Sequence, residues 1–167
     1  MRLPFLAVRT RSPSETRTLG VLLGNLVLPG EVLLLLGGLG TGKTTFVQGL
    51  AQGLEVEGQC RSPSFTMMSA HEGRYPLVHV DLYRCSTPQE VVDLGLDQML
   101  DAPNVVAIEW GEKAGPIVTD DYLEVEFEWD DADDDTRLIQ FRPFGRWQER
   151  MRELGDAVRD WAGKGGV

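Results

Sequence analysis

The chain has 167 residues, 42% of them hydrophobic, which is enough for one substantial core and, at ordinary domain sizes, a single domain spanning 1–167. Its formal net charge of −10 and pI near 4.6 exclude the basic surface that a free-standing nucleic-acid binder needs, so any contact with RNA is expected to be indirect, through a partner. Two cysteines, Cys60 and Cys85, form neither a disulfide framework nor metal-ligand spacing, and no apolar run resembles a signal peptide or reaches membrane-spanning length; a soluble, cytoplasmic protein with no membrane contact is expected.

Ser12-Pro13-Ser14-Glu15 reads as a helix start, with Ser12 as N-cap, Pro13 in the first helical position and Glu15 completing a capping box. The helix continues from Thr16 to Val27 with Leu19, Leu22, Leu23 and Leu26 on one face, and Pro29-Gly30 ends it. Gly20 and Gly24 are weak points in it or places of close packing. Val32 to Leu36 is an apolar run of buried-strand length. Directly after it, Gly37-Gly38-Leu39-Gly40-Thr41-Gly42-Lys43-Thr44 is a complete Walker A match, and Phe46, Val47, Leu50, Ala51 and Leu54 follow at helical spacing.

That order has a physical reason. Glycines let successive backbone N–H groups converge on anionic phosphates at a helix start, Lys43 adds a point charge, and Thr44 has the hydroxyl for a Mg²⁺ bridging the phosphate oxygens.

Further on, Ser62 to Met68 begins as a proline-bent loop and continues as a strand, Glu72-Gly73 turns the chain, and Leu77 to Asp81 is a second strand. Thr87 caps a short helix to Asp93, Gly95 stops it, and a second helical stretch runs to Leu100. Asn104 to Glu109 reads as a buried strand. Tyr122 to Trp129 alternates Leu123, Val125 and Phe127 with three glutamates, and Arg137 to Phe141 is expected to pair with it. The aspartates between Asp130 and Asp135 read as a solvated turn rather than a metal site. Arg146 to Ala162 is a C-terminal amphipathic helix, with Trp147, Met151, Leu154, Val158 and Trp161 on one face. The expected fold is α/β, a single P-loop NTPase domain with a mostly parallel central sheet flanked by helices and an antiparallel C-terminal hairpin.

A phosphate-binding loop needs carboxylates for the metal and the attacking water. Asp81 and Glu109 each close an apolar strand at the edge where a parallel sheet presents ligands. His79 alternates with Val78 and Val80 and reads as a hydrogen-bonded structural histidine rather than a proton carrier, because nothing in the sequence identifies its partner. Arg84 has the charge to meet a phosphate or a partner's carboxylate, or to form a surface ion pair.

The chain resembles the bacterial TsaE family, ATPases required for the threonylcarbamoyladenosine (t6A) modification of tRNA at position 37. The likeness runs through Glu15-Thr16, Leu19-Gly20, Gly40 to Phe46, Ser62-Pro63-Ser64-Phe65-Thr66, His79-Val80-Asp81-Leu82-Tyr83-Arg84 and Ile108-Glu109-Trp110. It departs at Gly38, where the family usually has an aspartate, at Ser64 in place of threonine, and at Val80 in place of phenylalanine. The resemblance implies that Gly38, Leu39, Gly40, Thr41, Gly42, Lys43, Thr44 and Thr45 bind ATP. It implies that Thr44, Asp81 and Glu109 form the Mg²⁺ and water site, with Lys43, Asp81 and Glu109 catalytic. Ser62, Ser64 and Thr66 would form a switch-like loop sensing the γ-phosphate. Trp110 would line the nucleotide site, although from the residues alone it reads equally well as a core aromatic. The implied partners are TsaB and TsaD, which perform the transfer.

Transition-state charge on a γ-phosphate normally needs an arginine finger, and no arginine is marked for that role, so slow hydrolysis is expected from the chain alone. A small-molecule kinase is the competing enzyme class, but Arg61, Arg74 and Arg84 are spread apart and form no lid cluster. A regulatory nucleotide switch or a GTPase is a third reading; no Asn-Lys-x-Asp guanine signature occurs.

Overall fold

Strand β2 (Val32–Leu36) sits at the centre of a seven-stranded sheet, with Leu33 and Leu35 facing one side and Val32 and Leu34 the other, all four buried. An apolar run with no polar alternation belongs in such a place, because helices cover both faces. This computed structural model describes residues 6–131 and 133–162. The sheet also contains β1 (Leu6–Thr10), β3 (Met68–His71), β4 (Leu77–Asp81), β5 (Val105–Glu109), β6 (Tyr122–Asp130) and β7 (Asp133–Phe144), in the order β1-β7-β6-β2-β5-β4-β3.

The four central strands, β6, β2, β5 and β4, run parallel, whereas β3 joins β4, β7 joins β6 and β1 joins β7 in antiparallel fashion. The expected parallel centre and C-terminal hairpin are both present, and antiparallel strands finish the two margins. The hairpin is longer than its hydrophobic pattern indicates. Asp133, Asp134 and Asp135 belong to β7 and not to the turn, and Ala132 lies outside the described residues. Strand β1 has no counterpart in the sequence reading.

Helices α1 (Pro13–Leu26), α2 (Lys43–Gly53) and α5 (Trp147–Trp161) cover one face, over a core that includes Leu19, Leu23, Leu33, Leu35, Phe46, Leu50, Phe127, Phe141 and Trp147. The shorter α3 (Pro88–Asp93) and α4 (Asp97–Asp101) lie with a second cluster on the other face, where Val78, Val80, Val106 and Ile108 meet Leu82, Val91 and Leu96. The C-terminal helix is tied down by Arg150, which pairs with the buried carboxylate of Glu31 and donates to the Leu26 carbonyl.

Helices α1 and α2 touch backbone to backbone. A Cβ added at Gly20 would strike the Phe46 carbonyl oxygen, and one at Gly49 would strike that of Arg17. Gly20 and Gly24 are therefore close-packing positions, facing Gly49 and Gly53. The Ser12 hydroxyl caps α1 by accepting from the Glu15 N–H, but the Glu15 carboxylate accepts from the Arg11 N–H, not from Ser12 as a strict capping box requires. The box at Thr87 and Glu90 is complete.

Candidate functional site

Strand β2 delivers the chain into a loop whose backbone only glycine adopts easily: φ is +142° at Gly37, +74° at Gly40 and +106° at Gly42. At Gly37 a Cβ would also fall 2.6 Å from the Phe127 carbonyl oxygen. The Thr41 hydroxyl ties the loop by donating to the Gly38 carbonyl at 2.8 Å. Helix α2 then starts at Lys43 with Gly42 as its N-cap and no side-chain cap, whereas α1 and α3 are capped by Ser12 and Thr87. The first N–H groups of α2, with the positive end of its dipole, make an anion site.

Lys43 is buried, and its Nζ donates at 2.6 Å to the carbonyls of both Gly37 and Gly38, 4.4 Å above the Trp110 ring. Burial lowers its pKa against the opposing pull of Glu109, Glu112 and Asp81. With glycine at 38, the loop supplies a carbonyl to this lysine and no side chain of its own.

The parallel register of β4 and β5 places Asp81 directly opposite Glu109, both buried, on the sheet face that α2 covers. The Thr44 hydroxyl donates to Glu109 at 2.8 Å, Ser62 Oγ donates to Asp81 Oδ2 at 3.2 Å, and the Tyr83 N–H donates to Asp81 Oδ1 at 3.0 Å. His79 is fully buried, with Nε2 2.6 Å from Glu109 Oε2 and Nδ1 3.7 Å from Cys60 Sγ. Burial on its own would lower the imidazole pKa. Hydrogen bonds to Cys60 and Glu109 and the Glu109 charge outweigh it and raise the pKa to about 9. The histidine expected to be structural thus has a partner, and that partner is a site carboxylate.

These groups line one cavity of about 420 Å³, which Leu39, Gly40, Thr41, Gly42, Lys43, Thr44, Thr45, Ser62, Ser64, Asp81, Glu109 and Trp110 all reach. Thr66 is not in the lining; its hydroxyl donates to the Met68 carbonyl. Gly38 contributes through its carbonyl alone. Trp110 adopts φ +59°, a left-handed conformation costly for a bulky residue, which sets its ring against Tyr83 with centroids 5.0 Å apart.

Sequence reasoning did not place Pro13, Thr16, Tyr83, Asp135 or Arg137 in the lining. Of these, Arg137 lies 3.7 Å over the Trp129 ring and donates through Nε to the Thr41 carbonyl, while Asp135 is beside it in the lining. Arg84 lines the cavity too and stacks on Phe65 at 4.6 Å. Among the described residues no group of three or more His, Cys, Asp or Glu side chains could by itself hold a metal. Among the same residues, no helix is long and apolar enough to cross a membrane.

A glycine loop between a central parallel strand and an uncapped helix, facing two strand-end carboxylates, defines a P-loop NTPase fold of the α/β class. The family model for threonylcarbamoyl adenosine biosynthesis protein TsaE matches residues 10–139. The tRNA threonylcarbamoyladenosine biosynthesis protein TsaE of Nostoc is 42% identical over 135 residues, covering 78% of this chain and 81% of its own. The protein of that name from Bacillus subtilis is 36% identical over 146 residues, covering 87% and 90%. Among solved structures, Bacillus subtilis YdiB superposes with a TM-score of 0.76 at 32% identity, covering 93% of this chain and 97% of that one. The chain belongs to the TsaE family of t6A biosynthesis proteins.

Proposed function

We propose that the chain is a Mg²⁺-dependent ATP hydrolase serving t6A modification at position 37 of tRNA, a single-domain cytoplasmic protein that acts with a TsaB–TsaD pair and touches tRNA only through it. The observation that carries the reading is the convergence of Lys43, Thr44, Asp81 and Glu109 on one cavity at the start of α2, with Thr44 already bonded to Glu109.

The residues fit ATP and Mg²⁺. The loop leaves room for phosphate oxygens where side chains would intrude, and a hydroxyl with two carboxylates is the hard oxygen donor set that Mg²⁺ prefers. Backbone N–H groups from Gly38 to Thr44 would cradle the phosphates, Lys43 would exchange its own-loop carbonyls for phosphate oxygens, and Thr44 with Asp81 and Glu109 would hold the ion. The ion, when bound, neutralises charge developing on the transferred phosphoryl group. Glu109 is the group to orient the attacking water, and Ser62 and Ser64 report on the γ-phosphate from the Asp81 side. Arg84 and Arg137 are engaged with Phe65, with Trp129 and with the Thr41 carbonyl, which supports slow turnover until a partner rearranges or supplements them.

ATP hydrolysis should be measured for the purified chain alone and with the TsaB–TsaD pair, with Lys43→Ala as the blank. The expected result is slow hydrolysis that the pair stimulates. Unchanged rates and no complex would remove the partner-gated reading, and phosphate transfer to a nucleoside acceptor would replace it with a kinase.

A further inference from the structure

We infer that His79 is a positioning residue for this site: its Nε2 holds the Glu109 carboxylate in the orientation that the reaction uses. The inference rests on the ATPase reading above. Strand alternation puts His79 and Asp81 on the same face of β4, and the register sets Asp81 opposite Glu109 and His79 opposite Ala107. Ala107 is the small residue of that pair. It leaves space for the imidazole to lean along the strand to its diagonal neighbour Glu109, within reach for a long side chain. The resulting contact is 2.6 Å from Nε2 to Glu109 Oε2, while Glu109 Oε1 lies 2.8 Å from the Thr44 hydroxyl.

Both edges of the ring are held. Nδ1 lies 3.7 Å from the sulfur of Cys60, and the side chain is fully buried, which restricts movement of the imidazole away from Glu109. Glu109 has its own reason to move. It sits opposite a second buried carboxylate, Asp81, which repels it, and Lys43 is a competing attraction at the head of α2. A fixed donor on Oε2 satisfies a buried acceptor and opposes rotation about the last side-chain bond, which keeps the carboxylate edge on the Thr44 hydroxyl, 2.8 Å from Oε1 and 3.1 Å from Oε2. A histidine kept only for core packing would need ring volume and no particular nitrogen. Here the nitrogen is specific.

The test compares His79→Gln, His79→Asn and His79→Ala in the full chain. A glutamine amide reaches the position of Nε2, whereas an asparagine amide reaches only the Nδ1 side. ATP turnover and KM are measured for each, with stoichiometric titration by a fluorescent ATP analogue to count folded sites. For His79→Ala and His79→Asn, kcat per site is expected to fall about 10- to 100-fold, the usual cost of losing a partner that orients a ligating group. KM should stay within about threefold, and His79→Gln should recover most of the rate. Full activity in His79→Ala, equal activity in the Gln and Asn variants, or a loss appearing in KM alone would overturn the inference while leaving the ATPase reading intact. No hydrolysis by the unsubstituted chain would overturn both.

Discussion

Lys43 and Glu109 occupy neighbouring places in one cavity, yet their removal should have opposite signatures. Lys43 directs its donors at the phosphate loop and lies over Trp110, which is the ground for the binding role proposed for it. Charge-assisted hydrogen bonds contribute about 1.5–3 kcal/mol each, and the loss of more than one in Lys43→Ala is expected to weaken ATP by about 100-fold or more, read by equilibrium titration. Glu109 faces Thr44 and His79, so Glu109→Ala is expected to keep ATP while hydrolysis falls on the order of 10²-fold, the range for a lost general base. Equal loss of ATP affinity in both variants would show that this division of roles is wrong. His79 adds a pH dependence. Its pKa stands near 9 in the fold against 6.5 for the free side chain, so between those values the native state holds a proton that the unfolded chain releases. The stability from this contact is complete below pH 6.5, declines as pH rises and is gone once pH passes about 9. In metal-free buffer, Tm should fall across that window, and His79→Gln, which does not titrate, should have a flatter profile. A wild-type Tm that rises from pH 6.5 to 9 relative to the variant would contradict the assignment.

At the scale of elements, the phosphate loop is held by what lies behind it. Helix α2 can present its first turn to the cavity only because α1 approaches within backbone contact, through Gly20, Gly24, Gly49 and Gly53. Gly49→Ala puts a methyl group against the Arg17 carbonyl and forces the helices apart; overpacking of this kind costs about 1–3 kcal/mol. Gly155→Ala in α5 meets nothing within 4 Å and replaces a poor helix former, so it should stabilise by about 0.5–1 kcal/mol. Urea denaturation of the two variants should give shifts of opposite sign, and two shifts of the same sign would refute the packing argument. The sequence makes some of this legible and not the rest, for physical reasons. β2, β4 and β5 are readable because strands covered on both faces are apolar for most of their length, with His79 and the strand-end Asp81 and Glu109 the exceptions. β1 is not, since Leu6 to Thr10 is a short edge strand whose pairing with β7 is set more than a hundred residues later. Helix periodicity marks Gly20 and Gly24 as anomalies, but only the partner helix explains them. The same limit applies within the site: the Walker A loop and the strand-end acids are local patterns, whereas Arg137 reaching Thr41 and His79 reaching Glu109 are products of topology.

For the molecule as a whole, the arrangement of charge matters more than the total of −10. Arg9 is paired with Asp130, Arg142 with Glu124 and Glu126, Arg146 with Asp121, Arg150 with Glu31 and Glu153, and Arg159 with Asp156. Five arginines are thus held by carboxylates, the exposed Arg11, Arg17, Arg61, Arg84 and Arg152 stand outside these pairs, and the tip of the β6–β7 hairpin carries aspartates. A tRNA backbone approaching a chain of net charge −10 meets overall repulsion, which opposes the counterion release that supplies most non-specific affinity. The purified chain is therefore expected not to retard tRNA in a gel at physiological salt, with or without ATP. Docking onto a protein pair that offers a basic face has the opposite electrostatics: attraction should steer the encounter, and the association rate should fall steeply as ionic strength rises while dissociation changes little. Stopped-flow association across a salt series distinguishes the two cases. A rate that is flat with salt would mean that exposed apolar side chains, such as Leu39 in the cavity lining and Phe65 against Arg84, carry the encounter instead. Retardation of tRNA by the chain alone would mean that the charge argument fails and that the protein grips the nucleic acid itself.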